Sequence, residues 1–180
     1  MTLAKAIETG DLALLPGRRD EDWRWTDLRG AIRAMPEAAE EAVEAPNPIL
    51  DDLERQGVTI ARFVAAEGAQ TARLPMVFGQ GTQTVLLESY EHAGGGYLSS
   101  VELDYELEAG AEVERIVLVD DAADGVTVSQ AVVRLAPGAQ FRQTVLTTGA
   151  KRQRLETRIA HPGQGASVRL DGVYLVGDRR

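Results

Sequence analysis

The sequence predicts a mainly β protein: a solenoid of short stacked strands, entered through a short α-helical segment. Three observations carry that prediction. First, a pattern recurs at nearly constant spacing. Leu107-Glu-Ala-Gly-Ala-Glu-Val113 is echoed by Leu135-Ala-Pro-Gly-Ala-Gln-Phe141, and the Gly-Ala step returns at Gly165-Ala166. The glycines are Gly110, Gly138 and Gly165, spaced 28 and then 27 residues, and a fixed period in that range marks a repeat architecture. Second, apolar and polar residues alternate: Val101, Leu103, Tyr105 and Leu107 point one way, and Glu102, Asp104, Glu106 and Glu108 the other. Third, aromatic residues are only 5%, so the core is built from Val, Leu, Ile and Ala, which suits regular stacked strands. Each unit holds two strands and their turns, and each strand gains a neighbour about 4.8 Å away in the next coil.

The elements follow in order. Residues 3–15 read as a short amphipathic helix with Leu3, Ile7, Leu14 and Leu15 on one side. Gly10 weakens its middle, and Asp11 is placed to cap a second turn. Pro16-Gly17 opens a loop that leads to Trp23 and Trp25, the two tryptophans of the chain. They are expected to anchor the N-terminal segment to a larger body by burying a large area each. A short helical piece over 27–35 closes before Pro36. Residues 36–48, with Glu37, Glu40, Glu41 and Glu44, read as a solvated acidic linker or a short exposed helix. Residues 49–56 form a helical turn or two ended by Gly57.

Strands begin at 58–64, with Val58, Ile60 and Val64 on one face. A second lies at 74–78, where Pro75 restricts it to an edge or a strand start, and a third at 84–89. Residues 91–96 form a glycine loop. Further strands are read at 97–107, 113–119, 126–135, 141–148 and 151–159, the last with Leu155, Thr157 and Ile159 on one face. Val168, Leu170, Gly172, Tyr174 and Val176 make a final face. This divides the chain into a helical N-terminal part, 1–48, and a solenoid, 49–180.

The charge pattern tests the repeat. Net charge is −9, which argues against nucleic acid as the main partner. Residues 91–124 contain ten acids against Arg115 alone, net −9, while 125–180 contain nine bases and three acids, net +6. An offset of 28 sets Glu106 beside Arg134 and Glu114 beside Arg142, and cross-strand pairs of opposite charge favour that register. The offset of 27 sets Arg142 beside Arg169, which is unfavourable.

No catalytic constellation emerges. The sequence contains no cysteine, hence no disulfide, thiolate ligand or cysteine nucleophile. His92 and His161 stand far apart, without ligand spacing, and both read as surface residues in turns. Gly94–Gly96 lacks the Lys-Ser/Thr and the helix start of a phosphate loop. No Gly-x-Ser-x-Gly elbow is present. Asp120 and Asp121 lie in an acidic loop and read as solubility or a weak cation site. The basic stretch 151–158, with Arg152, Arg154 and Arg158 on the face of Glu156, is the strongest candidate by charge, and pairing with acids of the same protein is its favoured role. There is no signal-like or membrane-spanning run.

The motif Pro16-Gly-Arg-Arg-Asp-Glu-Asp-Trp-Arg-Trp-Thr-Asp-Leu28 resembles the N-terminal Trp motif of the SufD subunit in the SufB/SufD scaffold family of iron–sulfur cluster assembly. Val85–Tyr90, Leu107–Val113 and the tail Gly163-Gln-Gly-Ala-Ser-Val-Arg-Leu-Asp-Gly-Val-Tyr-Leu175 resemble that family too. The resemblance implies a right-handed parallel β-helix flanked by helical regions. It also implies a cytoplasmic, non-enzymatic scaffold that works with a SufB-like scaffold and a SufC-like ATPase, without a membrane or nucleic-acid partner. The family continues beyond the point matched by Arg180, with further coils and a helical region that docks the ATPase, and its cluster-assembly residues lie there. No catalytic, cofactor-binding or metal-binding residue is therefore carried over, and no cofactor is expected in this chain. The rival reading is a cupin-like or other β-solenoid protein that binds a small molecule or sugar. The last strand is expected either to self-associate through an open edge or to be capped by the N-terminal segment.

Overall fold

The computed structural model describes residues 3–39, 46–160 and 163–175. His161, Val176 and the linker residues Glu40, Glu41 and Glu44 lie outside them.

Among the described residues nine strands wind as a parallel β-solenoid: β1 (Thr59–Ala65), β2 (Gly68–Phe78), β3 (Gln83–His92), β4 (Tyr97–Leu107), β5 (Glu112–Asp121), β6 (Val126–Leu135), β7 (Gln140–Gly149), β8 (Arg152–Ala160) and β9 (Ser167–Tyr174). They form two sheets, in the orders β1-β3-β5-β7-β9 and β2-β4-β6-β8, and every neighbouring pair is parallel. Consecutive strands thus belong to opposite walls, and each strand pairs with the next but one. The strands face inward through Val101, Leu103, Tyr105, Leu107, Val113, Val117, Val133, Phe141 and Val145, which form one continuous core between the walls.

The register bears out the period. β5 pairs with β7 at Gly-Ala spacing, Val113 against Phe141, and β7 with β9, Phe141 against Val168. The turn glycines stack. Gly110, Gly138 and Gly165 adopt φ of 69°, 72° and 76°, where a side chain is strained. Each coil's turn is tied to the next by a backbone bond: the N–H of Gly110 donates to Pro137 O, and that of Gly138 to Gln164 O. A further rung precedes them at Gly81, with φ 65° and its N–H on Ala109 O. It was hidden in the sequence because Thr82, not alanine, follows it.

The N-terminal segment is more broken than one helix. α1 (Leu3–Thr9) ends where Gly10 takes φ 67°, and Asp11 caps a separate 3-10 turn, Leu12–Leu14, by accepting from Ala13 N at 2.8 Å. α2 (Leu28–Ala31) is a single turn capped by Asp27. These pieces lie on the outer face of the second wall: Leu3, Ala6, Leu15, Trp23 and Leu28 pack with Ala69, Leu98, Val126 and Val128. Residues 37–39 add a short pairing to the edge strand β2, with Ala69 N–H on Glu37 O and Ala39 N–H on Ala69 O. The segment therefore covers a sheet face and the β2 edge. It does not cap β9.

α3 (Pro48–Arg55) starts with Asn47 capping Leu50 N and ends at Gln56, with Gly57 at φ 91°. It lies against β1 on the outer face of the first wall.

Three local expectations are refined. Ile60 and Val64 share one face of β1, as read, and it is the outward one: Ala61 and Phe63 turn toward the core, because pairing with β3 sets the parity. Pro75 sits inside β2 rather than at its start, which an edge strand accommodates. Arg134 does stand opposite Glu106 in the register, but its ion pair is with Asp104, one rung diagonally away. Arg142 stands beside Arg169 as expected, and Arg169 turns to Asp171 on its own strand at 2.7 Å.

Candidate functional site

The basic stretch of β8 and the tryptophan motif meet. Outward-pointing Arg154 lays its guanidinium over Trp23, 4.4 Å from the ring centroid. The same group donates to Asp22 O at 2.6 Å and Thr26 Oγ1 at 3.2 Å. Arg158 reaches Asp22 at 3.0 Å. Glu156 stands between the two arginines, 2.7 Å from Arg154 and 2.5 Å from Arg158, and also accepts from Gln130. Burial pushes the Glu156 carboxyl upward, but the bonds from Arg158, Arg154 and Gln130 outweigh it and hold the group below the ordinary range. Arg154 and Arg158 are thus spent within the protein, clamping residues 22–26 to β8, while Lys151 and Arg152 stay exposed. Only Trp23 serves as the buried anchor. Trp25 is 83% exposed and carries Arg24 over its ring, which corrects the expectation that both tryptophans are buried.

A second cluster lies inside the solenoid. Glu88 of β3 and Arg115 of β5 are buried between the walls and joined by two bonds, Nε to Oε1 at 2.5 Å and Nη2 to Oε2 at 2.7 Å. Tyr105 donates to Oε1 at 2.6 Å and Tyr90 to Oε2 at 3.1 Å, so each carboxylate oxygen receives two donors. The free end of Arg115 donates to Gln143 on β7 and Thr157 on β8, and the Tyr90 hydroxyl also meets Ser129 on β6. Burial lowers the affinity of Arg115 for its proton, but Glu88 more than restores it. Burial, reinforced by the Glu88 charge, raises both tyrosines, which stay protonated donors. The cluster links strands from both walls in successive coils. Its saturated geometry suits it to holding register, since a slipped coil would leave a buried charge unpaired.

Sequence reasoning missed this pair. Its trace was present: Arg115 is the lone base of the acidic stretch, and Glu88 stands 27 residues before it, one coil back.

A third cluster corrects the reading of Asp120 and Asp121. Asp120 is exposed, but Asp121 ends β5 buried, accepting at 2.6 Å from each of Tyr97, Thr127 and Gln153. Burial, with Asp121 beside it, raises the Tyr97 hydroxyl above its usual range. His92 is exposed at the end of β3, with its ring nitrogen on Gly94 O at 3.0 Å. Among the described residues no group of three or more His, Cys, Asp or Glu is arranged to hold a metal ion. Among them, too, no helix is long and apolar enough to cross a membrane.

The family described as SUF system FeS cluster assembly, SufBD core domain, matches residues 61–180, from β1 through the last strand. The chain belongs to the SufB/SufD family. The SufBD core match contains the glycine rungs and the Glu88–Arg115 pair, while the tryptophan motif at 16–28 precedes it. Comparison with curated proteins and with solved structures yields no match. The all-parallel pairing also separates the chain from cupins, which are jelly rolls built from antiparallel strands.

Proposed function

We propose that the chain is a non-enzymatic, SufD-like scaffold component of iron–sulfur cluster assembly, working in the cytoplasm with a SufB-like scaffold and a SufC-like ATPase. The match of the SufBD core over 61–180 carries the reading. The SufD-like assignment rests on the Trp motif, which the fold uses as a folded unit locked by Arg154 and Arg158 rather than as a loose tail. The cluster is cargo of the assembled complex. These 180 residues contain no cysteine, so thiolate ligands would come from outside them.

A further contact is proposed at β9, where Val168, Leu170 and Tyr174 continue the inward-facing rows of β7 but are 36%, 49% and 60% exposed. A second copy, or the SufB-like partner, would cover them.

The test is co-expression with a SufB-like and a SufC-like protein followed by affinity purification. Recovery of the SufB-like chain in stoichiometric amount supports the scaffold reading, and its absence under conditions where the chain is folded refutes it. The expected ATPase docking region lies beyond the residues matched here, so direct capture of the SufC-like protein by this chain alone would overturn that division of roles.

A further inference from the structure

The outer face of the first wall holds a surface that neither the core packing nor the scaffold reading uses. Its outward rows follow from the register. One row runs Leu87, Ile116, Thr144, Asp171, and the next Ser89, Leu118, Leu146, Val173. At β1, and at Leu87 of β3, this face is already covered. α3 lies against β1, its Leu50 is buried, its cap Asn47 donates to Glu91 of β3 at 3.3 Å, and outward-pointing Leu87 is only 5% exposed. Beyond β3 the same apolar face continues without a cover among the described residues. Ile116 is half-buried, and Leu118, Leu146 and Val173 are 37%, 43% and 54% exposed on three successive strands.

The spacing of the uncovered part fits one more helix. Packed helices lie about 8–10 Å apart, which equals about two strand separations of 4.8 Å. α3 takes the space over β1, so a neighbour laid beside it, two strands on, sits over β5 with its flank toward β7. The charges bracket that seat. The outward residues of β5 read Glu114, Ile116, Leu118, Asp120, an apolar pair between two exposed acids. Among the described residues neither acid has a hydrogen-bond or ion-pair partner, although Arg142 stands beside Glu114 in the register.

We propose that this face docks a basic amphipathic helix of a partner chain, placed alongside α3, with its apolar stripe on Ile116, Leu118 and Leu146 and its lysines or arginines toward Glu114 and Asp120. Helix-in-groove recognition of this kind is read through i, i+3, i+4, i+7 anchors. The proposal does not rest on the SUF assignment: the face continues from the α3 seat and carries its own charge.

The probe is a fluorescein-labelled leucine–lysine peptide of about four helical turns, leucines at helical spacing, measured by anisotropy against the full chain. Its controls are a scrambled peptide of the same composition and a leucine–glutamate helix. Saturable binding is expected for the leucine–lysine helix, weakened about tenfold or more by either control and by Leu118→Asp with Leu146→Asp. Glu114→Lys with Asp120→Lys should weaken it comparably while leaving the apolar seat intact. Val77→Asp, at an exposed apolar residue of the other wall, should not change it. Melting curves establish that each variant is folded. Equal binding of the scrambled peptide, absence of saturable binding, or indifference to the β5 and β7 variants overturns the proposal. So does light scattering that shows the chain dimerising through this face, with the dimer lost in Leu118→Asp, because the occupant would then be a second copy.

Discussion

Arg154 on β8 covers Trp23 of the N-terminal segment at 4.4 Å while binding the backbone of Asp22, so one side chain joins the two ends of the described fold. Arg154→Ala removes the ring contact and both anchoring bonds. A cation–π contact of this type contributes about 0.5–2 kcal/mol. The expected result is an N-terminal segment that opens before the solenoid melts, read as faster proteolysis within residues 10–30 with little change in the main transition. Trp23→Ala should be more severe, about 3–5 kcal/mol locally, while Trp25→Ala should be nearly silent. Equal sensitivity of the two tryptophan variants would contradict the anchoring role.

The interior pair predicts an asymmetric mutant series. Arg115→Met leaves Glu88 charged and buried, and Glu88→Leu strands Arg115. Either should cost about 3–5 kcal/mol. The double replacement Glu88→Leu with Arg115→Met should recover much of that loss, because no uncompensated charge remains. Urea melts of the four proteins give the coupling directly, and simple additivity would show that the pair does not act as a unit.

Two glycines separate conformational strain from steric exclusion. At Gly138 an added Cβ would meet nothing nearer than 3.8 Å, so Gly138→Ala should cost only the left-handed backbone penalty, about 1–2 kcal/mol. At Gly149 the same atom would fall 1.8 Å from Asp121 O, which is backbone. Gly149→Ala must therefore displace the end of β5, and is expected to lower the melting temperature by much more than Gly138→Ala.

Acid should loosen α3. The bond from Arg62 holds the Glu91 carboxyl below the ordinary carboxylate range against the opposing effect of burial, with help from Ser89 and Asn47. A depressed folded-state value stabilises the protein above the unfolded value, near 4.3, and that contribution is lost as pH falls through the folded value. Glu91→Gln should thus lower stability at neutral pH and make its decline below about pH 4 shallower. A parallel decline in both proteins would remove Glu91 from the account.

The open face at β9 should make association depend on concentration. Leu170→Lys, at an exposed position on the inward-facing row, is expected to shift light-scattering masses toward the monomer without altering the solenoid's circular dichroism. A strict monomer at all concentrations would leave β9 without the proposed second copy.

The stacking was legible because turn glycines and strand alternation are local and periodic. Glycine at positive φ and a two-residue period state themselves in sequence, and the offsets of 28 and 27 reappear as the pairings of β5, β7 and β9. What was not legible depends on parity. Glu88 reads as solvent-facing until the burial of Leu86 and Tyr90 on the same side of β3 puts it inside. Asp121 looked like part of a solvated loop because its three donors come from β4, β6 and β8. The difference between Trp23 and Trp25 rests on Arg154, far away in the chain, and no local pattern reports such a partner.

The first three glycine corners span 79–82, 108–111 and 136–139, four residues each. The opposite corners do not: 66–67 and 150–151 are short, and 93–96 and 122–125 are longer. Over these three corners coil circumference is therefore metered along one seam and adjusted along the other. Foreign sequence spliced into the exposed 93–96 corner would hang from the adjustable seam and leave the pairing of every strand intact, whereas the same splice at 108–111 would interrupt the glycine rungs.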